Sequence, residues 1–169
     1  MIRHGEKPPK DENGDDVNGL SDAGLNRAQG LVGVFGSASS YNIRYILAEH
    51  PKKDGSRTRP LETVSQLATE LGISVDDSVD RDDAGGAAKA AKAHHGPGNV
   101  LICWEHGQLA KIAKELGVKG YAHGSGASGK VKYPDDRFDL IWTVMPPYEE
   151  IASVTSEDIQ GLDDGHENP

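Results

Sequence analysis

Apolar residues along this chain recur with two different periods, and the switches between them mark an alternation of strands and helices. Over 21–36, Leu25, Ala28, Leu31, Val32 and Phe35 fall three or four residues apart, the spacing of one helical face. Ser21 stands where an N-cap accepts an amide hydrogen bond, Asp22 follows in the first turn, and Gly36 supplies a stop. Gly30 and Gly33 weaken this helix or let it pack closely. Residues 43–50, IRYILAEH, form an apolar, β-branched run too short for a helix and predict a strand. Over 59–72, Leu61, Val64, Leu67, Ala68 and Leu71 make a single stripe, with Pro60 suited to the first turn and Gly72 to the end. A weak strand is expected at 73–79. A helix is expected at 84–96, with Ala87, Ala90, Ala91 and His94 on one side. Residues 99–106, NVLICWEH, are continuously apolar until their end, as in a strand covered on both faces. Leu109, Ile112, Ala113 and Leu116 then face inward from a helix over 107–117. Residues 138–145 predict a further strand and 151–155 an edge strand. The stretches 8–20 and 121–133 have no periodicity and read as loops, the second as a flexible flap.

Strands alternating with helices of about three turns predict an α/β fold of the three-layer α/β/α kind. The sheet would be mainly parallel, with helices on both faces. The expected organisation is a single domain over 1–160 and a disordered tail at 161–169; a generic α+β domain is the alternative.

Composition narrows the partners. The chain has 169 residues, enough to bury a core without disulfides, and its single cysteine, Cys103, permits no internal bridge. A net charge of -9 argues against binding nucleic acid or an anionic membrane, while leaving room for a small basic pocket. No apolar run approaches the roughly 20 residues of a membrane span, and no apolar leader opens the chain, so the cytoplasm is the expected compartment.

The polar residues at the strand ends carry the chemistry. Arg3 and His4 follow Ile2, Arg59 follows the strand at 43–50, and His106 closes the strand at 99–106. In a parallel sheet all these positions gather at the carboxyl edge, where ligands bind. The helices starting near Arg59 and His106 would point their N-termini into the same crevice, which favours anions. Arginine forks onto phosphate oxygens, and a neutral imidazole can attack phosphorus. Fixed positive charge would stabilise the equatorial oxygens and keep a histidine unprotonated. Each element alone is ordinary: Arg59 could pair with Glu62, and Arg-His-Gly is a short string. The joint placement at strand ends is the signal.

Four stretches resemble the histidine phosphatase superfamily, also called phosphoglycerate-mutase-like: IRHGEK at 2–7, LSDAGLNRAQGL at 20–31, RPLETV at 59–64 and LICWEHGQL at 101–109. The resemblance spans about residues 1–117. It implies that His4 becomes phosphohistidine, that Arg3, Arg59 and His106 hold the phosphate, and that Lys7 is a further substrate contact. It implies no metal and no other cofactor. The leaving-group acid in such proteins usually lies between the second arginine and the last histidine, where this chain offers Asp80, Asp82 and Asp83. Asp82 is the choice, with Asp83 next. One branch instead places an aspartate just after the last histidine; here that residue is Gly107. Glu105 would point away from His106 on a regular strand, which counts against it as the acid. Mutase members carry a Trp-Asn pair after the first motif, and this chain lacks it. The expected activity is therefore a phosphoric monoester hydrolase acting on a small phosphorylated substrate and releasing inorganic phosphate. A catalytically inactive binder of phosphorylated ligands and a mutase-type phosphotransferase are the alternatives.

Other features weigh less. Only Met1 and Ile2 precede Arg3, so the first strand, central in the family, is a stub whose open backbone would suit a partner chain; a homodimer is the assembly it allows. His94 and His95 point about 100° apart on a helix and lack the carboxylate of a zinc motif. Cys103 reads as buried packing, and Trp104 and Trp142 as core or pocket wall. Lys130, Lys132 and Tyr133 lie where they could touch a charged substrate.

Overall fold

A computed structural model describes residues 1–165. Its elements run β1 (Ile2–Arg3), α1 (Asp22–Phe35), β2 (Ile43–Glu49), α2 (Arg59–Leu71), β3 (Val75–Val79) and α3 (Ala84–Ala93). They continue through β4 (Asn99–Trp104), α4 (His106–Leu116), β5 (Gly120–Tyr121), β6 (Leu140–Val144) and β7 (Glu150–Ser156). The fold is mixed α/β. Four strands in the order β1-β4-β2-β3 form an all-parallel sheet, and three more in the order β5-β7-β6 form a second, mixed sheet.

Alternation along β2 and β4 divides the core in two. Leu47, Ile102 and Trp104 join Ala87 and Ala88 of α3 and Leu109, Ile112, Ala113 and Leu116 of α4. Ile46, Ala48, Leu101 and Cys103, the intervening residues, join Leu31 and Phe35 of α1 and Val64, Leu67 and Ala68 of α2. This is the period of two in the strands meeting the stripes of the helices. Both tryptophans and Cys103 are buried. Capping follows the sequence closely. Ser21 Oγ accepts the Gly24 amide at 3.1 Å, and Gly72 ends α2 in the left-handed region at φ 67°.

Several expectations are corrected. Leu25 is 52% exposed, because the face of α1 that meets the sheet runs through Ala28, Leu31 and Phe35. Helix α3 stops at Ala93 and not Gly96; His94 leaves the helix in extended conformation and stacks on Tyr45. β4 ends at Trp104 and α4 begins at His106, with Glu105 between them as N-cap. The strand expected at an edge, β7, is flanked on both sides, by β5 and β6. Tyr133 is 1% exposed, its hydroxyl accepting from the Leu140 amide at 2.9 Å, so it is a core residue and not a surface contact. β1 is a two-residue strand, but its outer side is not open. Met1 N donates to Trp142 O at 2.7 Å and Trp142 N to Met1 O at 2.9 Å, which joins the two sheets through β1.

The chain after β7 is anchored at least as far as Asp163. Arg27 of α1, 1% exposed, donates to Glu6 (2.7 Å), Glu157 (2.5 Å) and Asp163 (2.8 Å). Ile159 packs against Gly30, where a Cβ would come within 2.8 Å of it. That close approach accounts for a glycine inside α1. The disordered tail expected from 161 thus begins with an ordered turn, and 166–169 lie outside the described residues. No helix among the described residues is long and apolar enough to cross a membrane.

Candidate functional site

The carboxyl ends of β1, β2 and β4 bring the chemistry-bearing residues to one rim. Arg3 pairs in register with Trp104, the last residue of β4. Glu49 ends β2, one residue past the Ala48–Cys103 pair. Immediately beyond β1, His4 N donates to Trp104 O at 3.2 Å and holds the turn against the sheet.

The turn at 4–6 is fitted to its neighbours. A Cβ on Gly5 would meet the Gly24 carbonyl at 3.0 Å, and one on Gly24 would meet the Glu6 carbonyl at 2.5 Å. Two glycines therefore let the first turn of α1 sit directly on the loop. The Gly5 amide donates to Thr63 Oγ1 at 2.8 Å, and that hydroxyl donates to the Arg59 carbonyl at 2.7 Å. Thr63 thus ties the His4 loop to the start of α2.

His4 is 2% exposed. Its Nδ1 lies 2.7 Å from the Gly5 carbonyl, so Nδ1 carries the hydrogen and Nε2 is left as the free lone pair. Burial pushes the imidazole down to about 3, and the charges of Arg3, Arg59 and Lys7 add to the shift, against the Gly5 carbonyl. At neutral pH His4 is a neutral imidazole beside cations.

Arg3 is 3% exposed. Its Nη1 donates to the carbonyls of Asp135 (2.8 Å) and Arg137 (2.7 Å), and its guanidinium carbon stands 3.7 Å from the centre of the Phe138 ring. Its Nε is buried without a hydrogen-bond partner among the described residues. Such an orphaned charged donor is costly and calls for a partner. Arg59 is held by the loop before α1, Nε to the Gly19 carbonyl at 2.8 Å and Nη2 to the Val17 carbonyl at 2.6 Å.

His106 opens α4. Its Nε2 is 3.2 Å from Asp135 Oδ1, and its Nδ1 is 2.7 Å from Glu105 Oε1, although not aligned as a hydrogen bond. Burial is the main influence lowering its pKa, with Arg3 next; Glu105 and Asp135 oppose them. Lys7 is more exposed, 3.9 Å from Asp16, and its charge acts on both His4 and His106.

The carboxylates are arranged differently from expectation. Asp82 is exposed; its Oδ1 accepts from Arg81 Nε and from Gln108 Nε2, both at 3.0 Å, and Arg57 lies 3.7 Å away. Arg81 above all holds its carboxyl below the ordinary range, so Asp82 is ionised at neutral pH. Asp83 caps α3 through the Gly86 amide at 2.8 Å, and the Asp80 carbonyl accepts the Asp83 amide. Glu105 does not follow strand parity. As N-cap it accepts the Gly107 amide at 2.9 Å and lies beside His106, because the strand has already ended.

Glu49 escaped the sequence reading. It is 2% exposed, its Oε2 accepts the Glu105 amide at 3.1 Å, and burial pushes its carboxyl up to about 7. The strand-end placement that singled out His106 applies equally to Glu49 and would have found it. Asp135 had no such signal, since it lies between predicted elements, and Phe138, expected to open a strand over 138–145, precedes β6, which begins only at Leu140.

No family model matches the chain, and no curated protein matches it.

Proposed function

We propose that this protein is a metal-independent phosphatase that hydrolyses a small phosphomonoester through a phosphohistidine on His4. The observation that carries the reading is the buried pair Arg3–His4: an unprotonated imidazole with Nε2 free, next to a guanidinium whose Nε lacks a partner. A tetrahedral dianion would supply that partner. Arg3, Arg59, Lys7 and His106 would hold it, and their charge would favour the transition state over the neutral ground state of the imidazole. His4 Nε2 attacks phosphorus, the ester oxygen leaves with a proton, and water then cleaves the phosphohistidine to release inorganic phosphate. The finer architecture belongs to the same reading: a three-layer α/β/α domain, with α1 and α2 on one face of the parallel sheet and α3 and α4 on the other.

Asp82 remains the acid suggested by sequence, and its contact with Gln108, two residues after His106, supports a place near the leaving group. Its ionised state means that it could deliver a proton only after substrate binding raises its pKa.

The alternative of an inactive phospholigand binder draws on a specific observation. Arg3 Nη1, Arg59 and His106 already have protein oxygens beside them, from Asp135, Arg137, Val17 and Gly19. The two readings separate in one assay. With p-nitrophenyl phosphate and excess EDTA, the phosphatase releases nitrophenolate and His4→Ala abolishes the release. No turnover by the unaltered protein, or turnover unaffected by His4→Ala, rejects the mechanism.

A further inference from the structure

A second cationic region adjoins the rim. Between α4 and the loop 129–135 lies a cleft of about 910 Å³ that begins at His106. Five lysines line it, Lys111, Lys114, Lys119, Lys130 and Lys132, against a single carboxylate, Asp135. This stands out in a chain of net charge -9. Lys119 pairs with Glu149 at 3.2 Å and Lys132 with Asp135 at 3.1 Å. Lys111, Lys114 and Lys130 have no ion pair among the described residues. Lys111 and Lys114 are three apart on α4 and so share a face, with Lys130 coming from the loop that walls the other side.

Like charges gathered in a concave site repel one another and attract a multivalent anion. The cleft has the volume of a small-molecule site. The negative molecule as a whole would repel a long polyanion such as nucleic acid. We infer that this cleft binds the non-reacting phosphates of a small, multiply phosphorylated substrate whose reacting phosphate sits at His106 and His4. The substrate class thus rests on the phosphatase reading, whereas the anion site itself can be measured without turnover.

Inorganic tripolyphosphate and orthophosphate serve as probes in calorimetric titrations with EDTA present. The unaltered protein should bind tripolyphosphate at least tenfold more tightly than orthophosphate, and the preference should shrink as salt rises. The triple variant Lys111→Ala, Lys114→Ala, Lys130→Ala should lower that ratio at least tenfold, and the corresponding triple arginine variant should keep it. A ratio near one in the unaltered protein, or an unchanged ratio in the alanine variant, overturns the site. A hexaglutamate peptide binding as tightly as tripolyphosphate overturns the small-molecule assignment in favour of an acidic polypeptide. Because binding alone is read, absent nitrophenyl phosphate turnover would reject the catalytic reading and leave the anion site standing, while turnover with no tripolyphosphate preference would do the reverse.

Discussion

At the scale of single residues, burial dominates the electrostatics of the rim. His4 is pushed down to about 3, so its neutral form is already complete well below the ordinary histidine range. The acid limb of kcat/KM for p-nitrophenyl phosphate should therefore not show a midpoint near 6.5 from His4. A profile that falls with that midpoint and keeps it in the His106→Asn variant would contradict the buried neutral imidazole. Glu49 runs the other way: its ordinary value of 4.5 becomes about 7 in the folded protein. Between these values the folded state holds more proton than the unfolded one. Glu49 therefore makes stability decline as pH rises from 4.5 to 7, by up to about 3 kcal/mol. Glu49→Gln should flatten this part of a urea-derived stability profile against pH; a variant with an unchanged slope would show that Glu49 ionises freely. On the proposed mechanism, Arg59→Ala would remove a charge-assisted phosphate contact of roughly 1.5–3 kcal/mol and should lower kcat/KM by about tenfold or more. Asp82→Asn should slow poor leaving groups most. Equal slowing across a series of aryl phosphates would remove Asp82 from the acid role.

Between elements, the contact that matters is the seating of α1 and α2 on the His4 loop. Gly24 lets the first turn of α1 approach the Glu6 carbonyl, and Thr63 satisfies the Gly5 amide from α2. Gly24→Ala places a methyl 2.5 Å from that carbonyl and should destabilise by about 1–3 kcal/mol, read as a lowered midpoint in urea. Thr63→Val keeps the shape but strips the acceptor from a buried amide, at a similar cost. These contacts lay partly within reach of the sequence. Ser21, Pro60 and Gly72 marked the helix ends, and the apolar stripes of α2 and α4 marked their inner faces, because capping and periodicity are local properties. The close approach of Gly5 to Gly24 was not readable, since it joins residues that only the packing of α1 brings together. Glu105 was misjudged for a related reason: strand parity holds only while the strand lasts, and β4 ends one residue before it.

For the molecule as a whole, Arg27 is the fastener. One guanidinium links α1, the loop after His4, the end of β7 and the turn at 159–163 through three carboxylates. Burial pushes the Glu157 carboxyl up to about 8, with the charges of Asp163 and Asp139 adding to the shift and Arg27 opposing it, so that Glu157 keeps its proton at neutral pH. Arg27→Ala leaves buried carboxylates without their partner and should cost about 3–5 kcal/mol in chemical denaturation. A loss below 1 kcal/mol would mean that the chain beyond β7 contributes little to the fold.

Local information in the sequence by itself determined the alternation of strands and helices, the ends of α1 and α2 and the delivery of Arg3, His4, Arg59 and His106 to strand and helix ends, since each depends on residues within a few positions of one another. Tertiary structure alone decided the rest. The pairing of Met1 with Trp142, the raised pKa of buried Glu49, the Arg27 cluster and the lysine cleft beside His106 all join segments far apart along the chain. Their energies come from burial and charge at short range, which no local pattern of residues encodes.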